Sequence, residues 1–219
     1  MNIASRSIAA GIALLTIVAA GAARAEESHI TPQGQWLARQ LDRTGVEAKW
    51  IAGSHIDWKT GLPDGEPETS KGRHTHCSAF VASTAEKFGV YILSPPEHGQ
   101  ALLANAQNEW LAAEGRAEGW RPLSSPAEAQ NAANRGLLVV ASYHNHRDDK
   151  PGHIAIVRPS DKSAEAIASE GPDVIQAATV NSASISVKAG FAGHIYAWSD
   201  NEIAYYAHTI KAPETTSSK

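Results

Sequence analysis

Apolar residues recur along this chain with two different periods. In residues 77–88, Phe80, Val81, Thr84, Ala85 and Phe88 follow one another at three- and four-residue steps. That spacing predicts an amphipathic helix, and Gly89 supplies its stop. The same period predicts helices over 32–41, with Trp36, Leu37 and Leu41 inward, and over 99–113, with Leu102, Leu103, Ala106, Trp110 and Leu111. A short helix is expected after Ser125-Pro126-Ala127-Glu128, ended by Gly136. Elsewhere the apolar residues form short runs. Residues 137–143 (Leu-Leu-Val-Val-Ala-Ser-Tyr) and 152–158 (Gly-His-Ile-Ala-Ile-Val-Arg) flank a polar turn at 144–151 and predict a β-hairpin. Strands are also expected over 173–178 and 201–209. Residues 48–75 are dominated by Gly, Pro and polar residues around Trp50, Ile56 and Trp58, which predicts a long loop.

The N-terminus adds a targeting expectation. Residues 8–20 form an apolar segment behind Arg6, short of the ~20 residues that span a bilayer, and Ala23-Arg24-Ala25 follows as a small-x-small site. This predicts a signal peptide over 1–25 cut after Ala25, and a periplasmic or secreted protein with no membrane attachment after cleavage. Residues 26–211 are then expected to form one domain, with 212–219 a disordered tail. The net charge is −4, without blocks of Lys or Arg, so nucleic acid is not an expected partner. A monomer is the expectation.

Export changes the meaning of the single cysteine. One thiol cannot form an intramolecular staple, and a chain of this length buries a core without one. Cys77 lies three residues before Phe80 and four before Val81, on the inward face of the helix but in its first turn, with Thr75 or His76 as the cap. Unpaired amides and the helix dipole favour an anion there, and thiolate is the reactive form of cysteine. The position therefore predicts a nucleophile with a lowered pKa. Its proton needs an acceptor, for which histidine is suited. His153 opens an otherwise apolar strand and shares a face with Ala155 and Val157, opposite Ile154 and Ile156.

His76-Cys77-Ser78-Ala79-Phe80-Val81 followed by Gly152-His153-Ile154-Ala155-Ile156-Val157 resembles the Cys-Ser-x-hydrophobic helix start and Gly-His-hydrophobic strand of NlpC-type cell-wall cysteine peptidases and their CHAP amidase relatives. Order and separation also agree, and the resemblance covers roughly residues 71–191. It implies an α+β fold with a papain-like core, the nucleophile helix packed on an antiparallel sheet, Cys77 attacking an amide carbonyl and His153 acting as base and then acid. Peptidoglycan peptides are the implied substrate and no cofactor is implied. The family's third residue is a polar side chain on the next strand that orients the histidine. Gln176 is the first choice here, then Asn181, then Glu170, whose spacing from His153 suits the CHAP pattern. The Cys77 amide would meet the oxyanion, helped by a side chain such as His76 or Tyr143. Ser78 is a further candidate for substrate contact, and Trp58 either lines a substrate groove or pins its loop to the core.

Histidine and thiolate are also zinc ligands, so His74, His76, Cys77, His144 and His146 admit a zinc-dependent hydrolase or zinc-binding module. Three candidate ligands within four consecutive residues do not match the usual spacings, and no His-Glu-x-x-His helix exists. The same fold would also accommodate a non-catalytic wall-binding module or an acyltransferase.

Overall fold

The computed structural model describes residues 30–67 and 74–211. The signal-peptide and tail expectations lie outside these residues. The elements in chain order are α1 (Pro32–Asp42), a 3-10 turn (Val46–Ala48), α2 (Cys77–Lys87), α3 (Leu103–Ala113), β1 (Arg121–Leu123), α4 (Pro126–Asn134), β2 (Leu138–Tyr143), β3 (His153–Val157), α5 (Ala164–Glu170), β4 (Asp173–Gln176), β5 (Ser182–Ser186), α6 (Val187–Gly190), α7 (Ile195–Ser199) and β6 (Ala204–His208). No helix among the described residues is long and apolar enough to cross a membrane.

The strands form one antiparallel sheet in the order β1-β6-β2-β3-β4-β5. The hairpin strands β2 and β3 lie at its centre, and every residue of both is buried. Helices cover both faces, so period-two alternation becomes a division between two cores. Leu138, Val140, Ile154, Ile156, Ile175 and Ala177 point into one, against Phe80, Val81 and Trp50. Val139, Ala141, Ala155, Val157 and Val174 point into the other, against Ala129, Ala133 and Phe191. The fold is α+β, with the cysteine-bearing helix packed on an antiparallel sheet.

Local chemistry sets the helix ends. Thr31 caps α1 by accepting the Gly34 amide at 3.1 Å, with Pro32 in the first turn. Ser125 caps α4 through the Glu128 amide at 3.1 Å, and the Glu128 carboxylate reaches back to the Ser124 amide at 2.7 Å. The second helix departs from the amphipathic expectation, because every residue from Cys77 to Ala85 is buried. Its small residues Ala79, Ala82, Ser83 and Ala85 let the loop over 48–63 close on the face away from the sheet. Ser83 donates to the Lys59 carbonyl at 2.5 Å and the Trp50 ring meets Phe80 edge-on at 5.2 Å.

Asn105 of α3 clamps the polar turn between β2 and β3. Asn105 accepts the amides of Gly152 at 2.7 Å and Asn145 at 3.2 Å through Oδ1 and donates to the Lys150 carbonyl at 2.9 Å. Gly152 is required here by space, since a Cβ would lie 2.1 Å from the Tyr143 carbonyl oxygen and 2.5 Å from Asn105 Oδ1. This clamp fixes the point at which His153 enters the sheet.

Candidate active site

Cys77 is the first residue of α2 and is 4% exposed. The preceding residue, His76, takes the cap position but makes no side-chain cap hydrogen bond. Its ring is turned to the loop instead, with Nε2 2.9 Å from the Ser54 carbonyl oxygen. The first-turn amides are thereby left to the thiol. Burial nevertheless dominates and pushes the Cys77 pKa above the ordinary thiol value of 9.0, while hydrogen bonds from the Ile154, Ser78 and Cys77 amides and from the Thr75 side chain pull it down. The expected lowering is therefore overturned: desolvation of the thiolate outweighs the helix terminus. Gln107 of α3 braces this turn by donating to the Ser78 carbonyl at 3.2 Å and the Leu93 carbonyl at 2.9 Å.

The Ile154 amide is the link to the strand. Arg158 donates its amide to the Asp173 carbonyl at 2.9 Å, and β3 pairs with β4 through Ile156–Ile175 and Val157–Val174. Antiparallel alternation directs the amides of Ile156 and Ile154 toward the same neighbour. Pairing stops before Ile154 is reached, and its N–H turns to Cys77. The thiol thus lies beside the opening end of the sheet, one residue along from His153.

His153 is also 4% exposed, and its Nε2 is 2.9 Å from Gln176 Oε1. With the amide oxygen facing it, the ring donates from Nε2 and leaves Nδ1 as the unprotonated acceptor. Gln176 is 3% exposed and lies in β4 on the same sheet face as His153. Helix α6 passes so close that a Cβ on Gly190 would sit 2.7 Å from Gln176 Oε1. Burial lowers the His153 pKa from 6.5 to about 4, with the Gln176 hydrogen bond opposing it. At rest the imidazole and the thiol are therefore each neutral.

Of the other choices for the third residue, Asn181 spends its amide on structure. Its Oδ1 accepts the Ala178 amide at 3.0 Å, and its Nδ2 donates to the carbonyls of Val46 at 2.8 Å and Lys49 at 2.7 Å. Glu170 ends α5 and pairs with Lys162 at 2.7 Å. Tyr143 pairs with His153 across the hairpin. Trp58 is half-buried on a cleft of about 470 Å³ shared with Lys59, Ala82, Glu86, Tyr91 and Pro95. Glu86 is nine residues along α2 from Cys77, about 13 Å at the helical rise.

Sequence reasoning missed His194. It stands in the segment before α7, its ring centroid 5.8 Å from that of His153 and nearly parallel to it at 19°. Phe191 closes on His153 edge-on at 4.6 Å, and Tyr143 lies 5.2 Å from His194. Burial and the neighbouring His153 hold His194 at about 4. The one signal in the sequence is the tripeptide Gly-His-Ile, which occurs at both 152–154 and 193–195.

The zinc-ligand candidates do not converge. His144 pairs with Glu109 at 2.9 Å and His146 with Glu202 at 2.7 Å. Among the described residues no group of three His, Cys, Asp or Glu side chains is arranged to hold a metal ion. No protein-family model matches the chain, and no curated protein matches it.

Proposed function

We propose that this chain is an exported cysteine hydrolase with a papain-like core that cleaves an amide bond in peptidoglycan peptides. The observation that carries the reading is the buried His153–Gln176 hydrogen bond, at the point where the strand amide of Ile154 meets the Cys77 thiol. A packing histidine is satisfied as well by a backbone carbonyl, whereas a general base needs its tautomer fixed and its ring oriented.

In this mechanism the Cys77 sulfur attacks the scissile carbonyl carbon as its proton passes to His153 Nδ1. Proton transfer accompanies attack, because the thiol is neutral beforehand. The Cys77 amide receives the oxyanion that forms. Collapse of the tetrahedral intermediate breaks the C–N bond, and His153 returns the proton to the departing amine. Water then attacks the thioester with His153 again as base, restoring the thiol and releasing a carboxylate. Throughout, Gln176 holds the ring without supplying charge.

Burial of Cys77 with a raised pKa favours a second reading, in which the thiol packs the core and the chain binds cell wall without cleaving it. Digestion of purified peptidoglycan by the wild type and by Cys77→Ala, with mass analysis of the soluble fragments, separates the two. Release by the wild type alone is expected. Equal release by both proteins would overturn the thiol mechanism, and release by neither would favour the binding module.

A further inference from the structure

A cleft of about 320 Å³ lies between the end of α1 and the end of α2, lined by Trp36, Gln40, Arg43, Thr84, Lys87 and Lys211 among others. That volume is within the range of small-molecule sites. Trp36 packs against Phe88 with ring centroids 5.7 Å apart, which gives the cleft an apolar wall. Its charge is unusual for this chain. Among the described residues three cations and no carboxylate line it, although the protein as a whole carries a net charge of −4. The neighbouring acids are committed elsewhere: Asp42 pairs with Arg158 at 3.0 Å and Glu86 with Lys59 at 2.5 Å. Among the described residues Arg43, Lys87 and Lys211 form no ion pair. The Lys87 ammonium lies over the Trp50 ring at 5.6 Å, and burial followed by repulsion from Lys49 lowers its pKa, against a smaller opposing effect of Glu86.

Thr84 supplies an independent observation. It lines the same cleft, is 1% exposed, and its hydroxyl has no hydrogen-bond partner among the described residues. A buried orphan hydroxyl destabilises a fold. Valine, the same shape without the hydroxyl, would remove that penalty. A threonine whose hydroxyl goes unused by the protein, in a cleft of uncompensated positive charge, fits a group reserved for a ligand.

We propose that this cleft binds a small organic anion, a carboxylate or phosphate carried on a flat apolar body. The anion meets Arg43, Lys87 and Lys211, the hydroxyl of Thr84 donates to it, and the apolar body lies along Trp36 and Phe88. The site is separate from Cys77, since Thr84 stands seven residues further along α2, about 10 Å at the helical rise.

The test is an amide NMR titration of the whole chain with phenyl phosphate, benzoate, inorganic phosphate and benzyl alcohol. Saturable shifts centred on Trp36, Arg43, Thr84 and Phe88 are expected with phenyl phosphate, benzoate or both, the pair reporting which anionic group is preferred. Inorganic phosphate, lacking the ring, and benzyl alcohol, lacking the charge, bind more weakly. Arg43→Gln and Lys211→Gln alter exposed side chains, and each weakens binding about tenfold, the size of one lost charge-assisted hydrogen bond. Thr84→Val weakens binding while leaving Tm unchanged or raised, a split that a purely structural hydroxyl would not give. Cys77→Ala leaves affinity unchanged, so this site and the proposed hydrolase stand or fall separately. No saturable shift with either aromatic anion, benzyl alcohol binding as tightly as they do, inorganic phosphate binding as tightly as phenyl phosphate, or shifts centred on Cys77 and His153 would each overturn the proposal.

Discussion

The environment of Cys77 decides how its reactivity should vary with pH. A thiolate preformed with an imidazolium would alkylate at a constant rate across neutral pH. A buried neutral thiol should not. Its iodoacetamide rate is expected to climb with pH through 9.0, the ordinary thiol value, with no plateau below it. A plateau between acid and neutral pH would instead establish an ion pair with His153. The Gln176 amide gives a second test. Gln176→Ala leaves the ring orientation unfixed, and a misplacement of about 1 Å at a reacting centre costs ~100-fold in rate. The loss should fall on kcat, with KM little changed. Gln176→Glu places a carboxylate against the imidazole, which favours the charged ring. It should move the acid limb of the activity profile upward from about 4. Equal pH profiles for this variant and the wild type would remove Gln176 from the site.

At the scale of elements, the central hairpin and the helices α1, α3 and α4 follow from periodicity because their apolar content is dense and their caps are local. Thr31 and Ser125 act on amides three residues away, so sequence alone exposes them. The edge strand β5 was hidden for the opposite reason. Its sequence Ser-Ala-Ser-Ile-Ser is half-buried and polar, and its pairing with β4 shifts between Val174 and Gln176. The Gln176 position was legible because an amide on a Val/Ile strand needs a partner. His194 was not, because its contacts join segments about 40 residues apart and no local pattern records them. The clamp by Asn105 is equally long-range. Asn105→Ala leaves the buried Gly152 amide unpaired, at a cost of ~1–3 kcal/mol. Thermal unfolding should show this as a lower Tm. Activity of the folded fraction should fall as well, because His153 follows Gly152 directly.

For the whole molecule, the two low histidine pKa values make stability depend on acid. His153 and His194 bind protons in the unfolded chain at about 6.5 but in the folded protein only at about 4. The unfolded state therefore takes up more protons between these values, and stability falls as pH drops from 6.5 through 4. Buried His153 alone accounts for ~3 kcal/mol at the acid end of that window. Tm should be level just above pH 7, fall again once the unfolded thiol ionises near 9.0, and decline steadily below pH 7. His194→Phe should make the decline shallower, and a Tm independent of pH down to 4 would contradict the buried neutral pair.

The central sheet also acts as a partition. Cys77 belongs to the core on one side of it, while His153 and Gln176 meet Phe191 and Gly190 on the other. In the proposed mechanism neither half supplies both thiol and base, so the chemistry waits on completion of both layers. A chain that has folded only one side holds a thiol without its base, or a base without its thiol, and is inert. Under the proposed reading of an exported hydrolase, the fold itself would then serve as a safety catch.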